Sequence, residues 1–313
     1  MKILLPDSAH LDPQLPEGVT AVRYAHARPI PEEHADAEML VVWNNPGDQL
    51  RDAAGRLKQL RWVQTLAAGP DAVLAAGFGP DVVVTSGRGL HDGTVAEHTL
   101  ALTLAAVRHL HVLLRAQAAR HWADEMRELQ AAQATQGFYT LRDATVVIWG
   151  FGSIAAVLAP LLKALGAKVT GVARTAGTRA GFDVVTEAGL PRLLPATDVL
   201  IGILPASEST THALGADVFD LLPEHAWVVN VGRGVTLDED ALLDALEEGR
   251  IGGAALDVFE TEPLPESSGL WNEPNVIITP HVAGGRPVGA DALVSENLVA
   301  FQEGRSLRNV VQG

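Results

Sequence analysis

Residues Thr145 to Arg174, TVVIWGFGSIAAVLAPLLKALGAKVTGVAR, constrain the fold more than any other stretch of the chain. An apolar, β-prone run from Thr145 to Trp149 enters Gly150-Phe151-Gly152-Ser153-Ile154-Ala155. A helix-periodic segment follows, Gly166 stops it, and Lys168 to Val172 reads as a second strand. The result is one βαβ unit with a tight turn at the head of its helix. Gly150 permits the turn, Gly152 lets the backbone approach a pyrophosphate, and the small Ala155 lets helix and strand pack closely. The first N–H groups of the helix, from Ser153 and Ile154, face that anion with the positive end of the helix dipole. A glycine fingerprint alone is weak, but its strand, turn, helix and strand setting predicts dinucleotide binding. Pro160 stands well inside the helix, where the lost N–H and the ring clash cost about 3 kcal/mol, so a kink is expected.

The remaining chain repeats this alternation. Lys2 to Leu5, Met39 to Trp43, Leu60 to Leu66 and Val82 to Thr85 read as strands ahead of the fingerprint. Val95 to Leu114 reads as one long helix that contains Glu97 and His98, a pair read as packing or an inter-domain hydrogen bond rather than as catalytic. His121 to Tyr139 is polar and rich in Gln and Ala, a poor core, and reads as an arm or connector. Beyond the fingerprint, strands are expected at Asp198 to Leu204, Trp227 to Val231, Gly253 to Val258 and Val276 to Thr279. Asp238 is expected to cap a helix that runs to about Glu248. Strands alternating with helices predict α/β architecture with doubly wound parallel sheets, whose ligands lie beyond the carboxyl ends of the strands.

Length and charge narrow the function. A chain of 313 residues is long enough for two domains. A formal charge of −15 opposes a nucleic-acid partner, which calls for clustered Lys and Arg. There is no cysteine, so thiolate chemistry and disulfides are out, and no metal site is expected. No stretch reads as a signal peptide or a membrane span, so cytoplasmic residence is the default expectation.

At the carboxyl ends of the later strands stand Arg233, Asp257 and His281. Arg233 lies between Gly232 and Gly234 and carries a permanent fork suited to a carboxylate. His281 can deliver a proton near neutral pH, since an unperturbed imidazole has a pKa of about 6.5. Glu262 is its natural carboxylate partner. After the second strand of the fingerprint, where an acidic residue would bind the adenine ribose, the chain has Arg174, with Thr175 and Arg179 close behind. A guanidinium suits a 2′-phosphate, so the sequence leans to NADP(H) over NAD(H).

Taken together, these segments resemble the D-isomer-specific 2-hydroxyacid dehydrogenases. The resemblance runs nearly end to end, through Leu60 to Asp71, Val95 to Arg108, the Gly150 turn, Asp198 to Thr210, Val229 to Gly234, Ala255 to Phe259, Glu262 to Pro265 and Ile278 to Gly284. It implies that Arg233 holds the substrate carboxylate and carbonyl, that His281 is the acid/base, and that Glu262 is its partner. Backbone N–H groups at Ala68 and Gly69, which as a sequence read only as a turn, would bind the carboxylate. Asp257 would hold the nicotinamide carboxamide, Leu204 and Pro205 would line the adenosine side, and Val231 and Gly232 would lie near the nicotinamide.

The resemblance further implies two Rossmann-like and flavodoxin-like domains with a cleft between them. Residues 1–97 plus 282–313 would form the discontinuous substrate-binding domain, and residues 98–281 the dinucleotide-binding domain. The expected reaction passes hydride between the nicotinamide and a small 2-keto or 2-hydroxy acid, such as glyoxylate or hydroxypyruvate, with a D-2-hydroxyacid product. Family habit and the polar arm imply a homodimer. Trp43, Asn44 and Trp271 are candidates for shaping substrate selectivity. The same fold and triad occur in dinucleotide-sensing corepressors, which makes a binding protein without turnover the alternative. A formate dehydrogenase would carry Gln in place of Glu262.

Overall fold

The computed structural model describes residues 1–136 and 139–312, with the backbone alone for residues 132–136. In chain order the first elements are β1 (Lys2–Pro6), β2 (Thr20–Tyr24), β3 (Met39–Val42), α1 (Gly47–Arg56), β4 (Trp62–Thr65), α2 (Asp71–Leu74) and β5 (Val83–Thr85). Next come α3 (Asp92–Val107), α4 (Leu110–Ala118), α5 (Glu125–Gln136), β6 (Thr145–Trp149), α6 (Ser153–Ala164), β7 (Lys168–Val172), β8 (Gly177–Arg179) and β9 (Phe182–Val185). The chain ends with α7 (Leu190–Leu193), β10 (Val199–Gly202), α8 (Ala216–Phe219), β11 (Trp227–Asn230), α9 (Glu239–Glu247), β12 (Gly253–Leu256), β13 (Val276–Ile278), α10 (Ala290–Gln302) and β14 (Val310–Gln312).

Two compact units result, Met1–His91 with Arg286–Gly313 and, separately, Asp92–Gly285. The first holds a sheet in the order β14-β5-β4-β3-β1-β2, parallel except where β14 pairs antiparallel with β5. Its inner strands β1, β3 and β4 are covered on both faces, which is why they read as continuous apolar runs. Ile3, Leu5, Met39 and Val41 pack with Leu293, Val294 and Leu298 of α10 on one side. Leu4, Leu40 and Val63 pack with Leu50 and Ala53 of α1 on the other.

The second unit holds a sheet in the order β13-β12-β11-β10-β6-β7-β9-β8, parallel apart from the β8–β9 pair. Strand order reverses between β6 and β10, which pair in parallel register from Val199 with Val146 to Gly202 with Trp149. A doubly wound sheet binds its ligand outside the carboxyl ends at such a reversal, so the Gly150 turn stands where the topology puts the site. On one face α3 and α6 contribute Ala96, Leu102, Ala106, Ala155 and Leu158 to the core, and on the other α9 contributes Leu242 and Ala245.

Several expectations need correction. The long helix from Val95 is two helices, α3 and α4, bent by 72° where His109 takes a left-handed φ of 52°. No single helix among the described residues is long and apolar enough to cross a membrane. The two compact units divide at 91/92 and 285/286, and α3 packs from its first turns with α6. The connector from His121 carries a helix, Glu125–Gln136, with Met126 buried, while residues 137–138 of that stretch lie outside the described residues. Pro160 lies inside α6, which runs from Ser153 to Ala164. The proline sits on the exposed face of the helix.

Candidate active site

The Gly150 turn is built by exclusion. Gly150 has φ of 101°, and a Cβ there would stand 2.3 Å from the Ile203 carbonyl oxygen, so β6 leaves the sheet flush against the end of β10. Gly150 and Phe151 both donate their N–H to the Val172 carbonyl, at 2.9 and 3.1 Å. At Gly152 the opposite holds, since nothing lies within 4 Å of where a Cβ would be. Gly152 caps α6 without a side-chain hydrogen bond, so the N–H groups of Ser153, Ile154 and Ala155 have no intrahelical acceptor. An open cradle under free N–H donors fits a dinucleotide pyrophosphate. Ala155 is fully buried, the place its small side chain was assigned. The Ser153 hydroxyl donates to Asp92 Oδ1 at 3.1 Å.

Past β7 stands Arg174, exposed and with no hydrogen-bond or ion-pair partner among the described residues. Arg179 behaves differently. Its Nη1 donates to the Phe151 carbonyl at 2.9 Å, and its Nη2 to the Thr175 carbonyl and hydroxyl at 3.0 and 2.6 Å. It therefore braces the glycine turn against the loop that carries Arg174, a role the sequence did not reveal. Leu204, buried, and Pro205, exposed, follow β10 directly.

The next three strand ends carry the polar groups. Asn230, the last residue of β11, is fully buried. Its Oδ1 accepts from Gly232 N at 3.2 Å and its Nδ2 donates to the Arg233 carbonyl at 3.2 Å. The Thr236 hydroxyl donates to the same carbonyl at 2.6 Å, so the backbone at Arg233 is fixed from both sides. Val231 is buried and donates its N–H to the Gly202 carbonyl at 3.1 Å. A Cβ on Gly232 would lie 2.6 Å from Leu204 N. Arg233 Nη1 donates to the Gly232 carbonyl at 2.8 Å.

Asp257 directly follows β12 and is 1% exposed. Its Oδ1 accepts from the Thr279 hydroxyl at 2.6 Å and from Val282 N at 3.0 Å, and its Oδ2 accepts from Ala283 N at 2.9 Å. His281 follows β13 with φ of 51° and donates its backbone N–H to the Asp257 carbonyl at 2.8 Å. Its ring Nδ1 stands 2.7 Å from Glu262 Oε2, and Glu262 Oε1 accepts from Phe259 N at 3.0 Å. The carboxylate is thus held at both oxygens, which orients the imidazole and leaves Nε2 for other chemistry. The loop is tied down again where Glu260 N donates to Glu239 Oε1 at 2.7 Å, and burial raises the Glu239 carboxyl above its ordinary range.

Beside this pair lies a pocket of about 410 Å³ lined by Phe259, Leu264, Trp271, Ile278, Glu262 and His281. Trp271 is half exposed and donates its indole N–H to the Pro265 carbonyl at 2.9 Å, so it both braces the loop and walls the pocket.

In the first unit, the chain leaves β4 at Ala67-Ala68-Gly69. A Cβ on Gly87 would stand 2.0 Å from the Leu66 carbonyl oxygen, so the turn is pressed from below. Ala68 and Gly69 donate their N–H to nothing among the described residues. A small pocket of about 150 Å³ at the ends of β3 and β4 is lined by Trp43, Asn44, Asn45, Thr65, Ala67 and Gly69, among others. The Asn45 side chain fixes its rim, accepting from Trp43 N at 2.9 Å and donating to the Tyr24 hydroxyl at 2.9 Å.

Comparison with known proteins agrees with this layout. Residues 100–283 match the family described as D-isomer specific 2-hydroxyacid dehydrogenase, NAD binding domain. Glyoxylate/hydroxypyruvate reductase A of Salmonella paratyphi B is 31% identical over 283 residues, which is 88% of this chain and 86% of that protein. Among solved structures, a D-isomer specific 2-hydroxyacid dehydrogenase family protein from Aeromonas salmonicida superimposes with a TM-score of 0.83 at 30% identity, covering 99% of this chain and 98% of that one. An NADPH-dependent glyoxylate/hydroxypyruvate reductase from Sinorhizobium meliloti, in complex with NADP and sulfate, gives 0.79 at 28% identity over 99% and 97%. The chain belongs to the D-isomer-specific 2-hydroxyacid dehydrogenases, NAD(P)-dependent oxidoreductases that act on the CH–OH group of 2-hydroxyacids.

Proposed function

We propose that the chain works as an NADPH-preferring reductase of small 2-keto acids, glyoxylate and hydroxypyruvate among them, with a D-2-hydroxyacid product. The observation that carries the reading is the His281 Nδ1–Glu262 Oε2 pair at 2.7 Å, at the end of a strand in the same sheet as Arg233 and the Gly150 turn. Glyoxylate/hydroxypyruvate reductases among the relatives support the substrate class, and the exposed Arg174 supports NADPH.

In this reading Asp92–Gly285 is the dinucleotide-binding domain. Gly150, Gly152, Ser153 and Ile154 hold the pyrophosphate, Arg174 and Thr175 the 2′-phosphate, with Arg179 bracing them. Leu204 and Pro205 line the adenosine, and Val231, Gly232 and Asp257 the nicotinamide. A bound dinucleotide supplies the hydride. Arg233 holds the keto acid by its carboxylate, a charge-assisted contact that a neutral donor would make less well. The N–H groups of Ala68 and Gly69 are proposed as further carboxylate donors. As the keto carbon becomes tetrahedral, His281 Nε2 gives its proton to the carbonyl oxygen while Glu262 steadies the ring at Nδ1. The histidine is reprotonated from solvent.

We also propose a cytoplasmic homodimer. The exposed apolar side chains of Leu110 and Leu114 on α4, Trp122 in the connection that follows and Leu129 on α5 support self-association. The charge of −15 supports a small-molecule partner over a nucleic acid. The test is a panel of glyoxylate, hydroxypyruvate and pyruvate against NADPH and NADH. Oxidation of NADPH with at least one of them is expected, and tight coenzyme binding with no turnover on any would favour the dinucleotide sensor.

A further inference from the structure

His98 sits in the middle of α3, between fully buried neighbours Ala96 and Thr99 that anchor the helix to the core. A histidine there reads as packing, yet its ring reaches polar groups. Nε2 stands 3.0 Å from Thr279 Oγ1 and 3.3 Å from Asp257 Oδ1, and the side chain is about one-fifth exposed. The Thr279 hydroxyl has one proton and gives it to Asp257 Oδ1, so its lone pairs accept from His98 in the Nε2–H tautomer.

What Asp257 does with these donors matters for the acid. Its carboxylate accepts from Val282 N and Ala283 N, and its backbone carbonyl accepts from His281 N. One buried residue therefore holds three consecutive backbone N–H groups, beginning with that of His281. The His281 backbone takes a φ of 51°, an uncommon conformation outside glycine that persists only where its surroundings determine it. A buried carboxylate short of donors carries an unmet desolvation cost, and its movement toward other partners would release the turn.

We propose that His98 is a positioning residue for the acid: through Thr279 and Asp257 it fixes residues 281–283 and so the direction in which His281 presents Nε2. This rests on the reading of His281 as the proton donor. Glu262 sets the ring at one end and the His98 chain sets the backbone at the other. Misplacement of a reacting group by about 1 Å costs up to about a hundredfold in rate, so a loosened turn slows proton delivery without weakening carboxylate binding.

The experiment compares His98→Ala, His98→Gln and His281→Ala in the full chain, reading kcat, KM for the keto acid, the solvent deuterium isotope effect on kcat and the melting temperature. For His98→Ala we expect kcat to fall about tenfold with KM little changed and the isotope effect raised, because proton transfer becomes more limiting. His98→Gln, which restores a donor toward Thr279, is expected to recover most of the loss. Wild-type kcat in His98→Ala overturns the proposal. So does a loss that follows the melting temperature with an unchanged isotope effect, since a reduced folded fraction lowers kcat without altering the step. If His281→Ala itself keeps wild-type turnover, the acid assignment fails and takes the inference with it. Loss there with wild-type turnover in His98→Ala removes only the role of His98.

Discussion

Gly234 and Phe259 pass so closely that a Cβ on the glycine would stand 1.8 Å from the phenylalanine's carbonyl oxygen. Phe259 in turn donates its N–H to Glu262 Oε1, so the turn carrying Arg233 and the loop carrying Glu262 are packed as one piece. A methyl group at 234 must push that loop away, and overpacking of this kind costs about 1–3 kcal/mol or more. Gly234→Ala is expected to lower the melting temperature and to cut kcat at least tenfold in the fraction that stays folded. Steady-state kinetics normalised to active protein check this, and wild-type kcat would show that the two segments move independently.

The His281–Glu262 pair predicts a graded response. His281→Ala removes the proposed proton donor and is expected to lower kcat by about 10²–10⁴-fold, the range for general acid catalysis, with KM within a few-fold of wild type. Glu262→Gln keeps a side-chain oxygen for Phe259 N but loses the charge, so an intermediate loss is expected. Arg233→Ala removes the fork and is expected to raise KM as well as lower kcat. Equal effects of all three on KM would contradict the division of roles.

Much of this architecture was legible because its signals are local. The glycine turn, the apolar runs and the Asp238 cap, whose Oδ1 accepts from Ala241 N at 2.9 Å, are each set by a few adjacent residues. The edge strands β2 and β8, with β9 beside the latter, escaped notice because half-exposed sequences such as Thr20–Tyr24 lack a continuous apolar run. The break at His109 depends on one backbone angle that no residue type there demands. The contacts of Arg179 and His98 were not legible for a related reason. Their partners, Phe151 and Asp257, are 28 and 159 residues away in sequence, and only the folded sheet brings them together.

The proposed preference for NADPH rests on Arg174. A guanidinium free to meet a 2′-phosphate contributes a charge-assisted contact that NADH cannot make. Arg174→Ala is expected to weaken NADPH about 10–100-fold and to leave NADH within about twofold, corresponding to about 1.5–3 kcal/mol for a hydrogen bond to a charged group. Isothermal titration of both reduced coenzymes separates the cases. Equal losses for the two would mean that Arg174 never touches the phosphate.

His111 gives the fold an acid-sensitive point away from the active site. Its ring meets Trp227 edge-on at 5.2 Å, and burial pushes its pKa down to about 4, helped by the positive charge of Arg115 and by His109. In the unfolded chain the same imidazole titrates near 6.5. Between about pH 6.5 and 4 the unfolded state therefore binds a proton that the folded state refuses. The stability contributed by neutral His111 is complete above the upper value and is lost as pH falls to the lower. Carboxylates titrate in part of the same window, so the comparison has to be made against a variant that changes this group alone. His111→Phe keeps a ring against Trp227 and removes the titration. Melting temperatures taken from pH 7.5 down to pH 4 are expected to fall less steeply for this variant than for the wild type, with the two curves separating below about pH 6.5. Parallel curves would mean that His111 takes up its proton equally in the folded and unfolded states.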